Sequence, residues 1–345
     1  MVVDFRYHLV SLISVFFALA IGIILGAGPL QNSIGNVLQG QVADLRVTNE
    51  NLKKKNADLT DAVAAQDRAF DDLAPSLVGG KLSGRKVAVV VFPGVKDANV
   101  ADSRAKLELA GAKVTGQATI TEAWTAASTT AFRSTFADQI RTYVPGAAAD
   151  SDANTVLAQA LDLLLREGTT QHATLAGLLT GTDKPMLSVD GLTDGADVVV
   201  AFAADSEPST SSTPDPEAVA QQKYTTSTLA ALVTELGTRG PAVAAGSANS
   251  DGDVVRVVRD AGGPVSTVDS IDRVIGHINV ALAAASELKD QLVHFGLDAG
   301  AQGLIGTRSL TPPAEIPTPT PVPTQAPSQA PEEGNDAADP DTSNA

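Results

Sequence analysis

The feature that most constrains this chain is an uninterrupted apolar run near its N-terminus, LVSLISVFFALAIGIILGA, from Leu9 to Ala27. The run carries no charge, and about 17–25 apolar residues are enough for a helix to cross a bilayer. A cleaved secretory signal is the alternative, but its apolar core is shorter, about 7–15 residues, and ends at small residues. Here a cut after Gly28 would place Pro29 next to the cleaved bond, a poor substrate. We therefore predict a retained transmembrane anchor over residues 9–28.

The basic residues around this run predict its orientation. Arg6 is the only Lys or Arg before the span, and the next basic residue is Arg46. Positive residues collect on the cytoplasmic side of membrane helices. We therefore expect a single-pass protein in which residues 1–8 are cytoplasmic and the chain from Gln31 onward lies outside the cytoplasm, in the cell envelope.

Small residues within the span recur every four positions, which places them on one ribbon of the helix. Such ribbons let two helix backbones approach closely in lipid. They predict a membrane-helix dimerisation face made of Ser14, Ala18, Gly22 and Gly26.

A heptad pattern follows the anchor and predicts a coiled coil over residues 36–74. Five leucines occupy the d positions, and Gln66 is the exception. Leu at d combined with Asn at a favours a parallel pair of helices, because each buried Asn pairs with its counterpart. The alternative is an amphipathic helix that packs on its own domain. We expect Pro75 and three nearby glycines to end the helix. The predicted seam is Leu38, Val42, Leu45, Asn49, Leu52, Asn56, Leu59, Val63, Phe70 and Leu73.

The composition excludes several classes of function. The 345-residue chain has a net charge of −16, which argues against a nucleic-acid partner because phosphate contacts need clustered Lys and Arg. It contains no cysteine, which excludes disulfides, thiolate metal sites and a cysteine nucleophile. The partners that we expect are the lipid bilayer, a second copy of the chain, and an envelope or division protein.

Alternating strand and helix patterns predict an α/β domain over residues 84–310. Lys86–Phe92 is a continuous β-branched run typical of a strand buried on both faces. Repeated β and α units of this length indicate a mostly parallel sheet covered by helices, an open α/β sandwich of the flavodoxin or Rossmann type. We expect an edge strand at Val265–Val268 and a final helix at Ile271–Phe295. The proline-rich acidic tail, residues 311–345, is expected to be disordered.

No pattern in the chain predicts catalysis or a resident cofactor. A glycine-rich phosphate loop, HExxH and paired carboxylates are all missing. The loop Gly246–Asp251 leaves two interpretations open, an anion site or simple N-capping by Ser250 or Asp251. Three aspartates close together in the sequence could hold a hard cation or form ordinary turns. Three histidines are expected to be partly buried polar residues, and two of them are expected on the final helix. These six residues are Asp190, Asp194, Asp197, His172, His277 and His294.

The N-terminal sequence resembles that of a known family. Two features resemble the actinobacterial MctB family of copper transport proteins. One is the order of anchor, coiled coil and α/β domain, and the other is the segment Phe5-Arg6-Tyr7-His8-Leu9-Val10-Ser11-Leu12 with its continuation through Gly22 to Leu25-Gly26. The resemblance is specific over the first 28 residues and general up to about Leu310. It implies a role in copper efflux or resistance at the envelope. A related SteB-like branch implies instead a role in cell separation and in the control of peptidoglycan hydrolases through a partner protein.

Three functions therefore remain open: copper export or tolerance, a dimeric adaptor, and a small-ligand sensor. Copper favours thiolate and thioether ligands, with imidazole next. This chain has no cysteine, one methionine besides the initiator, Met186, and dispersed histidines. The residues themselves favour a non-enzymatic dimeric adaptor, whereas the resemblance implies copper export or tolerance.

Overall fold

The computed structural model describes residues 5–181, 183–206 and 215–306, and for residues 27–37 it describes the backbone alone. The predicted tail, 311–345, lies outside the described residues. Two parts follow one another along the chain. A single long helix is followed by an α/β domain, which we call the head.

The long helix, α1, extends from Phe5 to Val78. At 1.5 Å per residue it is about 110 Å long. The helix ends beside the predicted glycines Gly79 and Gly80, but Pro75 lies within it. Proline removes only the amide that would bond to Asp71, and the Pro75 carbonyl still accepts from Gly79 N at 3.0 Å. Packing of Ala74 and Val78 into the head maintains the last turn, and the chain leaves the helix at Gly80, where φ is +74°.

The head is built on a seven-stranded sheet in the order β3-β2-β1-β4-β5-β6-β7. Every neighbouring pair is parallel except β2 and β3, which are antiparallel. The parallel-dominant α/β domain is therefore confirmed. The strands are β1 (Lys86–Val91), β2 (Lys113–Ile120), β3 (Leu187–Gly191), β4 (Val198–Phe202), β5 (Ala242–Ala245), β6 (Ser266–Val268) and β7 (His294–Phe295).

Helices cover both faces of the sheet. Helices α2 and α9 and the end of α1 pack on one face, and α4 to α8 pack on the other. The central strands β1 and β4 are buried on both faces, which explains their nearly continuous Val and Ala sequences. The helices of the head are α2 (Asp97–Leu109), α3 (Glu122–Thr125), α4 (Thr130–Ile140), α5 (Ala153–Glu167), α6 (Ala173–Thr180), α7 (Pro216–Arg239), α8 (Val254–Ala261) and α9 (Val274–Glu287).

The prediction for the end of the head was wrong. Helix α9 ends at Glu287 and does not continue to Phe295. Asp290 adopts φ +56°, a left-handed conformation that an α-helix cannot include, and the chain then returns as β7. Strand β6 is consequently not the last strand, since Val268 pairs with Phe295. The apolar periodicity hid this reversal because it continued through Leu288 and Leu292.

Candidate functional site

The N-terminal part of α1 is the one helix in the described residues that is long and apolar enough to cross a membrane. This segment, Phe5–Gly26, has a mean hydropathy of 2.7, and none of it is buried by the part of the chain that the structure describes. The predicted ribbon of Ser14, Ala18, Gly22 and Gly26 lies on it. Ser14 Oγ donates to Val10 O at 2.8 Å, and a Cβ at Gly22 or Gly26 would meet nothing within 4 Å among the described residues apart from the adjacent turns of its own helix. The ribbon is therefore open to close approach by another helix.

A row of exposed apolar residues follows along the rod, which we define as residues 38–66 of α1. Leu45, Leu52 and Leu59 are 68, 61 and 65% exposed. We call the whole row the leucine ridge; Asn49 and Asn56 interrupt it and are exposed as well. No other part of the described chain covers it. The leucine ridge consists of Leu38, Val42, Leu45, Asn49, Leu52, Asn56, Leu59 and Val63.

The last turns of α1 are fixed to the head rather than left free. Asp67 accepts hydrogen bonds from Arg273 Nε at 3.1 and 3.0 Å, and Asp71 forms an ion pair with Lys106. Phe70, which the heptad pattern places in the seam, packs against the core of the head. Leu73 stays 53% exposed. The heptad pattern does not reveal this docking, because its partners lie far away in sequence.

A small crevice lies at the carboxyl ends of the strands, between β1 and β4. The strand order reverses there, which is where open parallel sheets bind ligands. The crevice has a volume of about 80 Å³ and is lined by Gly94, Val95, Lys96, Asn99, Ala203, Ala204 and Asp205. This volume has room for an ion or a few waters, but not for a nucleotide.

The buried Asp253 connects the loops beside this crevice. Its carboxylate accepts from Ser206 N at 2.8 Å and from Ser250 N at 2.9 Å. Burial by itself raises the pKa of Asp253, but these hydrogen bonds outweigh it and hold the pKa below the usual value for an aspartate. Asp253 is also the N-cap residue of α8, so the prediction of Ser250 or Asp251 there was wrong. The carboxylate therefore orders this loop.

A second buried network joins β5, β6 and the loop after β7. Asp269 Oδ2 accepts from Arg259 Nη2 at 3.0 Å, and Oδ1 accepts from Ser270 Oγ, Leu297 N and Asp298 N. Asp298 in turn accepts from Ala248 N at 3.0 Å. Burial raises the pKa of Asp298. The sequence carries no signal for this network, because its members are spread over fifty residues.

The histidines do not assemble into a metal site. Among the described residues, no group of three or more His, Cys, Asp or Glu side chains could hold a metal ion. His277 Nε2 lies 2.7 Å from Ile271 O, and burial lowers its pKa. His294 lies in β7 and bonds to Thr267 Oγ1 at 2.9 Å, so its predicted place on the final helix was wrong. His172 pairs with Glu167 at 2.8 Å, and Met186 is fully buried.

Two of the three clustered aspartates bond to the start of the sheet. Asp194 lies 3.1 Å from Lys113 Nζ and 3.8 Å from Lys86 Nζ. The hydrogen bond from Lys113 and the charges of both lysines lower the pKa of Asp194. Asp197 accepts from Lys86 N at 2.8 Å. These contacts favour the interpretation of this segment as a structural turn.

Comparison with known proteins identifies the family. The family described as "Copper transport outer membrane protein, MctB" matches residues 2–305. Proteins named Copper transporter MctB from Mycobacterium bovis and Mycobacterium tuberculosis are 26% identical to this chain over 325 residues, and the alignments cover 88% of this chain and 98% of each relative. Because the match extends from the apolar helix to the end of the described head, the chain belongs to the MctB family of copper transport outer membrane proteins.

Proposed function

We propose that this protein is a membrane-anchored, non-enzymatic adaptor of the cell envelope that acts as a parallel dimer. The observation that carries the proposal is the leucine ridge, a heptad row of exposed apolar side chains with no partner in the described chain. Water-exposed leucines in a regular row are typical of a surface that is buried in an assembly. The head then provides the surface that binds an envelope or division protein, as the SteB-like alternative implies.

The membrane topology is part of this proposal. A retained helix at Phe5–Gly26 tethers the chain, and Arg6 favours a cytoplasmic N-terminus. Two copies anchored in the same orientation would present their rods side by side and in the same direction. A parallel seam needs no turning of either chain, which is why we favour it over an antiparallel one.

The energetics of the seam support a dimer of limited strength. Each leucine that moves from water into a seam contributes about 1.5–3 kcal/mol. Asn49 and Asn56 at consecutive a positions lower that gain, because each needs its counterpart in the same register. We therefore infer a dimer of defined register and limited strength, assisted by the small-residue ribbon in the membrane.

The architecture of the head supports a binding role. Its strand order agrees with a Rossmann-type assignment, although the reversed strand β3 departs from a fully parallel sheet. The buried carboxylates beside the strand ends, Asp253 and Asp269, already accept hydrogen bonds from the protein itself. Because these carboxylates are already used within the head, we favour recognition of a partner by the surface of the head.

The dimer is tested by light scattering from the full chain in detergent micelles, with the detergent mass subtracted. The expected protein mass is that of two chains. The double substitution L45N/L52N should shift the equilibrium toward one chain. Val47 is an apolar residue of the same helix outside the heptad seam and 56% exposed, so V47N is the matched control and should leave the dimer intact. A monomeric wild type would contradict the proposal, as would equal effects of both variants.

Copper export or tolerance is the second candidate, and the family membership favours it. The mycobacterial relatives carry the name of copper transporters. On this proposal copper is a cargo that the assembly or its partner handles. Titration of the full chain in detergent with Cu(I) and with Cu(II), followed by calorimetry, tests direct binding. Stoichiometric binding tighter than about micromolar (~8 kcal/mol) would support a direct role, and weaker binding would favour the adaptor.

A further inference from the structure

The charged residues of the rod are segregated around the leucine ridge. The heptad positions on either side of the ridge, e and g, hold three bases and no acid between Gln39 and Ala62. The bases are Arg46, Lys53 and Lys55, and we call them the cationic flanks. The outer positions b, c and f hold the acids and a single base, Lys54. The outer acids are Asp44, Glu50, Asp58 and Asp61.

The structure leaves the cationic flanks accessible. Arg46, Lys53 and Lys55 are exposed, and no ion pair within the described residues occupies them. In the single chain, a shallow groove of about 440 Å³ follows one side of the ridge, and in the dimer its seam residues are covered while its cationic edge stays exposed. Glu50, on the outer face, is the acid that borders this groove. The groove is lined by Val42, Leu45, Arg46, Asn49, Glu50 and Lys53.

A second copy of the rod does not neutralise these cations. In a parallel pair, each g residue faces the e residue five positions further along the other chain. Lys55 then faces Thr60, and Lys53 faces Thr48. The dimer therefore gains no ion pair from its flanks and presents two cationic grooves, one on each side of the seam.

We propose that the cationic flanks are a docking surface for an acidic amphipathic helix of another envelope protein. The proposal rests on the parallel dimer and names the chemistry of its partner. Arg46 and Lys53 are one heptad apart and lie along the edge of the seam. A helix with acidic residues at heptad spacing therefore meets both charges with its carboxylates, and its apolar face packs against the methylene stems of these two side chains. A flexible polyanion would bind Lys54 on the outer face as readily as the cationic flanks. The segregation of the bases to the flanks therefore argues against a polyanion as the partner.

The test uses two synthetic helical peptides of about four heptads. Both have Leu at d, and they differ only in carrying Glu or Lys at e and g. Binding of each labelled peptide to the full chain in detergent micelles is followed by fluorescence anisotropy at low and at high salt. The wild type is expected to bind the Glu peptide and not the Lys peptide, with an affinity that falls as salt screens the charges.

The matched variants separate the flanks from the general charge of the rod. R46E/K53E/K55E should weaken binding of the Glu peptide at least about tenfold, whereas K54E should change it less than about twofold. Equal binding of both peptides would overturn the proposal. So would an equal loss in K54E, or binding of inorganic polyphosphate that depends as strongly on Lys54 as on the flanks. Light scattering on the same samples distinguishes the failures: a monomer refutes the proposed dimer, and an intact dimer without selectivity refutes the docking surface alone.

Discussion

The buried ion pair between Arg259 and Asp269 gives the sharpest prediction about the stability of the head. The two side chains are 3 and 0% exposed, and Arg259 Nη2 lies 3.0 Å from Asp269 Oδ2. Asp269→Ala would leave the guanidinium buried without its carboxylate and would remove the acceptor of three further donors, among them Leu297 N and Asp298 N. Breaking a buried pair in this way costs about 3–5 kcal/mol.

This cost corresponds to a large change in melting temperature. For a domain of this size, 1 kcal/mol shifts the midpoint by about 2–4 °C, so the variant should melt about 6–20 °C below the wild type. The assay is thermal unfolding of the full chain in detergent, followed by the fluorescence of Trp124, the single tryptophan of the chain, which is fully buried in the head.

An exposed ion pair on the same helix provides the control. Asp260 accepts from Arg256 Nε at 2.7 Å, but these side chains are 57 and 27% exposed. Asp260→Ala should cost less than about 1 kcal/mol, since exposed pairs contribute little. A midpoint for Asp269→Ala within about 2 °C of the wild type would refute the reasoning, and so would equal losses in the two variants.

Two further predictions concern the packing of α9 and the pH dependence of the head. A Cβ at Gly276 would lie 2.1 Å from Ser270 O, so Gly276→Ala should lower the melting midpoint. Gly263→Ala is the control and should leave the midpoint unchanged, because a Cβ at Gly263 would have its nearest neighbour at 3.6 Å. Equal midpoints for the two variants would contradict the predicted clash. Because the pKa of Asp253 is lower in the folded protein than in the unfolded chain, ionised Asp253 stabilises the fold at pH values above its unfolded pKa. This contribution disappears as the pH falls through the pKa of the folded state. Asp253→Asn should therefore lower the midpoint at pH 7, and the difference from wild type should shrink on acidification; a difference that stays constant with pH would be the contrary result.

The sequence was sufficient for the elements whose residues carry their own signal. The β-branched run at Lys86–Val91 predicted a strand buried on both faces, because only apolar side chains fit between two layers of helices. The 22-residue apolar helix, which is long enough to cross a membrane, was equally clear from its hydropathy. In both cases the environment of the segment is uniform along its length, so composition alone reveals it.

The sequence was insufficient wherever a tertiary contact decides the structure. The apolar period of α9 continued to Leu292, but a left-handed Asp290 and pairing with β6 turned the next residues into β7. Asp67 and Arg273 are 206 residues apart, and no local pattern links them. For Phe70, the heptad pattern predicted that the side chain lies on the apolar face of α1. Only the fold shows that this side chain contacts the head.

The central claim, that the leucine ridge is the seam of a parallel dimer, is tested most directly by cysteine cross-linking in native membranes. The chain contains no cysteine, so each introduced thiol is unique. A disulfide needs two Cα atoms about 4.4–6.8 Å apart, a condition that equivalent seam residues of a parallel pair approach and outer residues do not. We predict covalent dimers from Leu52→Cys under mild oxidation and none from Lys54→Cys on the outer face. A monomeric Leu52→Cys, or equal cross-linking from Lys54→Cys, would contradict the account.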